Sequence, residues 1–156
     1  MACAMTVEQY LNELHIPYDI KQHPATPTSM KAAMAADVSA DCMAKAVILE
    51  DERGYVMAVI PASHQVSLRR LRTMTGRRMH TASEQELAVL FRDCAPGAVP
   101  PIGMAYGIET VWDDSLQEAD DVYFEAGDHE SLMHVHGRDF IQMMRDAPHG
   151  RISSHI

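Results

Sequence analysis

The sequence predicts a single α/β or α+β domain built on a mixed sheet. Three observations carry that reading. Apolar runs of strand length interleave with stretches of helical periodicity. Two of the runs, "AKAVILE" (44–50) and "YVMAVIP" (55–61), are separated only by the acidic, glycine-ended link "DERG", as in a hairpin. No repeat, low-complexity segment or linker divides the 156 residues, a length that suits one compact domain over 1–156 with its core at about 5–146.

Each element follows from local pattern. Thr6 and Gln9 have capping-box spacing, and Val7, Tyr10, Leu11 and Leu14 form one apolar stripe, so a helix is expected, ended by Pro17. "YDIKQH" (18–23) alternates like a strand, and "HPATPTS" (23–29) is a turn-rich loop. Ser29 can cap a short helix over "MKAAMAAD" (30–37), with Met30, Ala33 and Met34 inward. The two hairpin runs are almost continuously apolar, as strands covered on both faces are. Ser67 can cap a helix carrying Leu68 and Leu71, closed by Gly76. "RRMHTA" (77–82) reads as a short strand. Ser83 and Glu86 make another capping box, opening a helix with Leu87, Leu90 and Phe91. "RDCAPGAVPPIG" (92–103) is too rich in Pro and Gly for regular structure. "IETVWD" (108–113), "DVYFEAG" (121–127) and "LMHVH" (132–136) read as strands. "RDFIQMMRDA" (138–147) is the last helix, burying Phe140, Met143 and Met144.

Composition narrows the function classes. The chain is 47% hydrophobic and 22% charged, ordinary for a soluble globule. No apolar run approaches the roughly 20 residues of a membrane helix. The N-terminus has no basic start followed by an apolar block, so no secretory signal is expected. Cys3, Cys42 and Cys94 are widely spaced and odd in number, which argues for a reducing, cytoplasmic compartment. A net charge of −9 disfavours tight nucleic-acid binding through bulk electrostatics. Five of the 13 basic residues nevertheless fall in "LRRLRTMTGRR": Arg69, Arg70, Arg72, Arg77 and Arg78. That segment is either a weak phosphate-docking face or a solvated helix face.

Familiar catalytic signatures are lacking. There is no GxSxG elbow and no GxxxxGK loop. Cys94 sits in a Pro/Gly loop and reads either as a nucleophile or as an idle thiol. His129, His134 and His136, with Asp128, raise the question of a metal site. Their H-x4-H-x-H spacing matches no ligand signature, and no CxxC pair is present, so the chain is expected to be metal-free without cofactors. Lys45 opens an apolar strand and is one of only three lysines. It reads either as a fixed positive charge for a phosphate or as an exposed strand end.

Lys45 in "AKAVIL", "GAVPPIG" (97–103), "WDDSL" (112–116) and "FEAGDHE" (124–130), preceded by "TSMKAA", occur in an order that resembles the YbaK/prolyl-tRNA synthetase-associated editing domain family. The resemblance covers about residues 5 to 146. It implies a mixed, partly barrel-like β-sheet flanked by helices, and hydrolysis of mischarged aminoacyl-tRNA. It carries Lys45 onto the lysine facing the terminal phosphate of the acceptor end. Gly103 and Gly127 fall on the glycines of the pocket loops, and His129 near the pocket histidine. Thr28 and Asp128 are then expected substrate contacts, with Arg69 and Arg72 as tRNA-docking residues, and Met104 reads either as a pocket wall or as core filler. Ile102 stands where many members have Phe.

The expected function is a free-standing, metal-independent aminoacyl-tRNA deacylase acting in trans. Its expected partners are the acceptor end of aminoacyl-tRNA and a tRNA synthetase. The alternative is a non-catalytic binding module of the same fold that recognises an aminoacyl-nucleotide-like ligand or a synthetase. An aminoacyl ester is already activated, and the neighbouring ribose hydroxyl can assist attack by water. The protein then has to hold the ester and place N–H dipoles, and glycines permit that close approach.

Overall fold

The computed structural model describes residues 4–26, 28–95 and 98–156. Among the described residues, five α-helices are formed: α1 (Met5–Glu13), α2 (Ser29–Ala35), α3 (Leu68–Thr75), α4 (Glu84–Leu90) and α5 (Gly137–Met143). The strands are β1 (Asp19–Gln22), β2 (Met43–Asp51), β3 (Gly54–Pro61), β4 (His64–Val66), β5 (His80–Thr81), β6 (Glu109–Asp113), β7 (Asp121–Glu125), β8 (Ser131–His136), β9 (His149–Gly150) and β10 (Ser153–His155).

Eight strands share one mixed sheet in the order β1-β8-β7-β2-β3-β6-β9, with β5 also paired to β2. β2 and β3 form the expected antiparallel hairpin, closed at Asp51–Gly54. Gly54 takes φ +128, and the Asp51 carboxylate accepts the Arg53 N–H at 2.8 Å. β2 with β7, β3 with β6 and β6 with β9 run parallel. β4 and β10 make a separate two-stranded ribbon. β4, β9 and β10 are absent from the sequence reading, and the last two lie beyond residue 146. Each is only two or three residues long, so period-2 alternation leaves no trace.

Both faces of the hairpin are covered. The even positions of β2, Ala44 and Ile48, join Met57, Val59, Trp112, Phe124 and Phe140 in the main core. On the other face, Leu49 lies in a cluster with Leu71 of α3, and Met43 in one with Ala32 and Ala33 of α2. Lys45 sits between these two clusters on the same face, by strand alternation.

Helix starts agree with the sequence where a hydroxyl does the capping. Ser67 accepts the Arg70 N–H, and Ser83 with Glu86 forms a complete capping box. Two caps differ. α1 begins after Ala4 with no side-chain cap, and α2 is capped by Thr28 rather than Ser29. The inward face of α2 also differs from the expected one. Ala32 and Ala33 are buried, while Met34 is 74% exposed, contrary to the expected inward Met34. Leu14 likewise falls outside the buried stripe, because α1 stops at Glu13.

Candidate active site

β2 is a central strand with an interruption along one side. β3 pairs with residues 44 to 51. Opposite it, β7 pairs only at Met43–Tyr123 and Ala44–Phe124, and β5 only at Leu49–Thr81 and Glu50–His80. The Ala82 N–H reaches the Ile48 carbonyl at 2.9 Å. Between these contacts, Lys45, Ala46 and Val47 have no described strand beside them and are half-exposed. The sheet therefore has a window about three residues wide. A central strand that is unpaired and partly open can receive a ligand edge-on.

Lys45 stands in this window. Its ammonium donates to the Ala62 carbonyl across a long 3.5 Å contact. Partial burial alone depresses its pKa. Such a charge gains by meeting an anion.

The end of β7 contributes a residue that the sequence reading quoted but gave no role. Glu125 is 2% exposed, and neither carboxylate oxygen has a hydrogen-bond partner among the described residues. Burial, and then the Asp128 charge, push its pKa up to about 7. Alternation along β7 puts Glu125 on the face of Tyr123, and hence of Met43 and Lys45. The signal in the sequence is parity: a carboxylate two residues after Tyr123, on the same face of the strand.

Two further buried polar atoms lie nearby without described partners, His23 Nε2 and Thr26 Oγ1. Their loop is joined to the turn after β7. The His23 N–H donates to the Glu130 carbonyl at 2.9 Å and the Thr26 N–H to that of His129 at 3.4 Å. Buried polar groups are normally paired, so such a cluster marks a place built for an incoming partner.

The turn itself is tightly made. Asp128 Oδ1 accepts the N–H groups of Glu130 (3.0 Å) and Ser131 (2.8 Å), and Oδ2 accepts the Ser131 hydroxyl at 2.9 Å. His129 is left-handed, at φ +62, and half-exposed. Gly127 has φ +106, and a Cβ there would lie 3.0 Å from the Ala4 Cβ and 3.4 Å from Cys94 Sγ. The expected substrate contacts Asp128 and Thr28 thus have structural work. Asp128 holds the turn, and the exposed Thr28 accepts the Lys31 N–H at 3.1 Å as the α2 cap.

Gly103 and Met104 belong to the opposite face. A Cβ on Gly103 would collide with the Thr110 hydroxyl and approach the Met57 Cβ to 3.4 Å, and both neighbours lie on the main-core face. Met104 packs on that core, and Ile102 is fully buried within it. The structure therefore does not place Gly103 and Met104 beside the Lys45 ammonium, and the close approach that requires glycine at 103 is made by the protein's own chain.

Other expected groups sort clearly. The Cys94 thiol is pushed up to about 12 by burial, which removes it as a nucleophile at neutral pH. Cys3 lies outside the described residues. Arg69 and Arg72 are exposed on α3. Arg69 and Arg70 line a cleft of about 430 Å³ with His149 and Arg151. Arg77 differs from the expected basic face. It is 8% exposed and bonds Asp51 through Nε at 2.8 Å and Glu109 through NH1 at 2.9 Å. His134 and His136 point to the same side of β8 and meet Asp121.

This α+β domain with its mixed sheet has clear relatives. The family model described as aminoacyl-tRNA editing domain matches residues 23–143, and the chain belongs to that family. No curated protein matches the chain. Among solved structures, the chain is similar to a hypothetical protein, APE2540 (TM-score 0.84, 22% identity, covering 96% of this chain and 99% of that one). It is also similar to a candidate trans-editing enzyme for prolyl tRNA synthetase (TM-score 0.81, 20% identity, 97% and 96%). A third is a proposed signal transduction protein from Marinobacter aquaeolei VT8 (TM-score 0.78, 18% identity), where the match covers 95% of this chain but 30% of that one. Among the described residues, no helix is long and apolar enough to cross a membrane.

Proposed function

We propose that this chain is a free-standing aminoacyl-tRNA deacylase that hydrolyses the ester of mischarged tRNA without a metal. The observation that carries the reading is a set of underpartnered polar groups: the Lys45 ammonium in the β2 window, and the Glu125 carboxyl, His23 Nε2 and Thr26 Oγ1 around the end of β7 and its following turn. Family membership supplies the substrate class. Lys45 takes the terminal phosphate of the acceptor end, which fixes the ester at the window. The aminoacyl group enters beside the turn bearing His129. Glu125, poised near neutrality, accepts the proton of the attacking water. The adjacent ribose hydroxyl assists, and as the ester C–O bond breaks the departing ribose oxygen takes the proton from Glu125 and leaves as the tRNA hydroxyl.

Discrimination follows from the width of the window, which excludes larger aminoacyl groups by sterics. Arg69 and Arg72, with Arg151, supply a weak docking face for the acceptor arm. The site is proposed to work in the cytoplasm, where a tRNA synthetase generates the mischarged substrate. A panel of mischarged tRNAs, assayed for ester loss with the wild type and with Lys45→Ala, tests the proposal. Turnover of at least one substrate that disappears in the variant supports it. Tight binding of an aminoacyl-nucleotide analogue with no turnover of any substrate would instead establish the non-catalytic module. That second reading draws on Gly103 and Gly127, which pack against protein.

A further inference from the structure

We propose that Asp121, His134 and His136 form a binding site for one divalent transition-metal ion of the zinc type. The β7–β8 ladder pairs Asp121 with His136 and Tyr123 with His134, so all three ligands rise from one face. His134 Nε2 lies 2.7 Å and His136 Nδ1 3.7 Å from Asp121 Oδ1, and the three ligand atoms lie within 4.8 Å of one another. An ion with bonds of about 2.0–2.2 Å in tetrahedral geometry holds its ligand atoms roughly 3.3–3.6 Å apart. The observed separations bracket that value, so rotamer adjustment without backbone movement suffices.

A second observation points the same way. Asp19 Oδ1 on β1 lies 2.6 Å from His134 Nδ1. This is the carboxylate–imidazole arrangement that orients a metal-binding histidine, leaving Nε2 to face the ion. The Tyr123 ring stacks on His134 at 4.7 Å, holding it from the side. Entry is open, since the side chains of Asp121 and His136 are 49% and 56% exposed. Water can complete the coordination. Two imidazoles and one carboxylate suit Zn²⁺, Co²⁺ or Ni²⁺, and not the all-oxygen preference of Ca²⁺ or Mg²⁺.

This revises the expectation from spacing alone. His129 is not part of the cluster, and the third ligand comes from the neighbouring strand, which no linear motif records. The site shares a sheet face with Glu125 but lies four residues along β7, about 13 Å away. The ion takes no part in ester hydrolysis. It clamps β7 to β8 and, through Asp19, holds the edge strand that leads into the His23 loop.

The test uses the full chain without a polyhistidine tag. Zn²⁺ is titrated by calorimetry and Co²⁺ by its visible absorption, against wild type, His136→Ala, His134→Ala and Asp19→Asn. One ion per chain is expected, with tetrahedral-type Co²⁺ bands. His136→Ala, at an exposed position, keeps the fold and should lose binding at least tenfold. Asp19→Asn should weaken it roughly 10- to 100-fold, as loss of a ligand-orienting carboxylate does. A chelator should abolish the Co²⁺ bands and leave deacylation unchanged. No saturable binding, or binding equal in wild type and His136→Ala, would overturn the site and mark any bound metal as an adventitious ion only.

Discussion

The Lys45 ammonium reaches across the hairpin to the Ala62 carbonyl, 3.5 Å away, from a strand segment that has lost its neighbour on one side. A carbonyl contact of that length holds a charge weakly and leaves it available to a phosphate.

Replacing Lys45 with Ala should therefore leave the fold intact and lower kcat/KM for mischarged tRNA by about a hundredfold, about 2.7 kcal/mol of positioning. Lys45→Arg should recover only part, because a planar fork does not put its charge where a compact ammonium does. Binding of uncharged tRNA should fall less than turnover. Full activity in a folded Lys45→Ala protein removes Lys45 from the mechanism.

Glu125 predicts a pH dependence of both stability and rate. Its carboxyl titrates at about 7 in the fold against an ordinary 4.5. A raised folded pKa means the native state holds its proton more tightly. That contribution to stability is fully present below pH 4.5 and is lost as pH rises through about 7. It amounts to at most about 3 kcal/mol. Glu125→Gln should flatten this part of the stability curve and raise the melting temperature at pH 8. The same variant should abolish the rise of kcat with an apparent pKa near 7. A wild-type stability profile without this fall above pH 5 contradicts the burial assigned to Glu125.

The arginine segment divides into two roles. Arg77 is buried against Asp51, whose carboxyl it holds down at about 2. Arg77→Ala strands Asp51 and should lower the melting temperature by several degrees. Arg69→Ala with Arg72→Ala should leave the melting temperature nearly unchanged, since both are exposed. It should weaken tRNA binding and flatten its salt dependence. An unchanged salt slope would reduce these two residues to a solvated helix face.

Gly127→Ala tests whether that glycine serves the turn or the substrate. Its φ of +106 and the 3.0 Å approach of the Ala4 Cβ predict a loss of about 1–3 kcal/mol in stability. Denaturant unfolding measures it. A variant of normal stability and no activity would instead place the ester against this glycine.

Much of the architecture was legible from short-range pattern. The β2–β3 hairpin was readable because two apolar runs flank a turn, and a reversal of that kind is decided within about 18 residues. The Ser67 cap and the Ser83–Glu86 box were readable because a hydroxyl and the N–H groups it caps lie within three residues. The family resemblance located Lys45 for a similar reason, since it rests on an ordered string of local motifs.

What the sequence determined by itself, then, was whatever depends on neighbours along the chain: element types, the hairpin, the Ser67 and Ser83 caps and a lysine early in an apolar strand. Tertiary structure alone decided which of those pieces meet. β7 leaves β2 after two pairs, and only that divergence turns Lys45–Val47 into a window. Glu125 became a buried carboxyl without a hydrogen-bond partner among the described residues only through the packing around the end of β7. Gly103 and Met104, expected at the pocket from the resemblance, pack on the main-core face of the sheet, opposite the face of Lys45. Asp121 joined His134 and His136 through cross-strand register, which sets contacts between residues 13 to 15 positions apart. Burial and cross-strand contact are long-range quantities. They set desolvation, and desolvation lowers the Lys45 pKa and raises that of Glu125 to about 7.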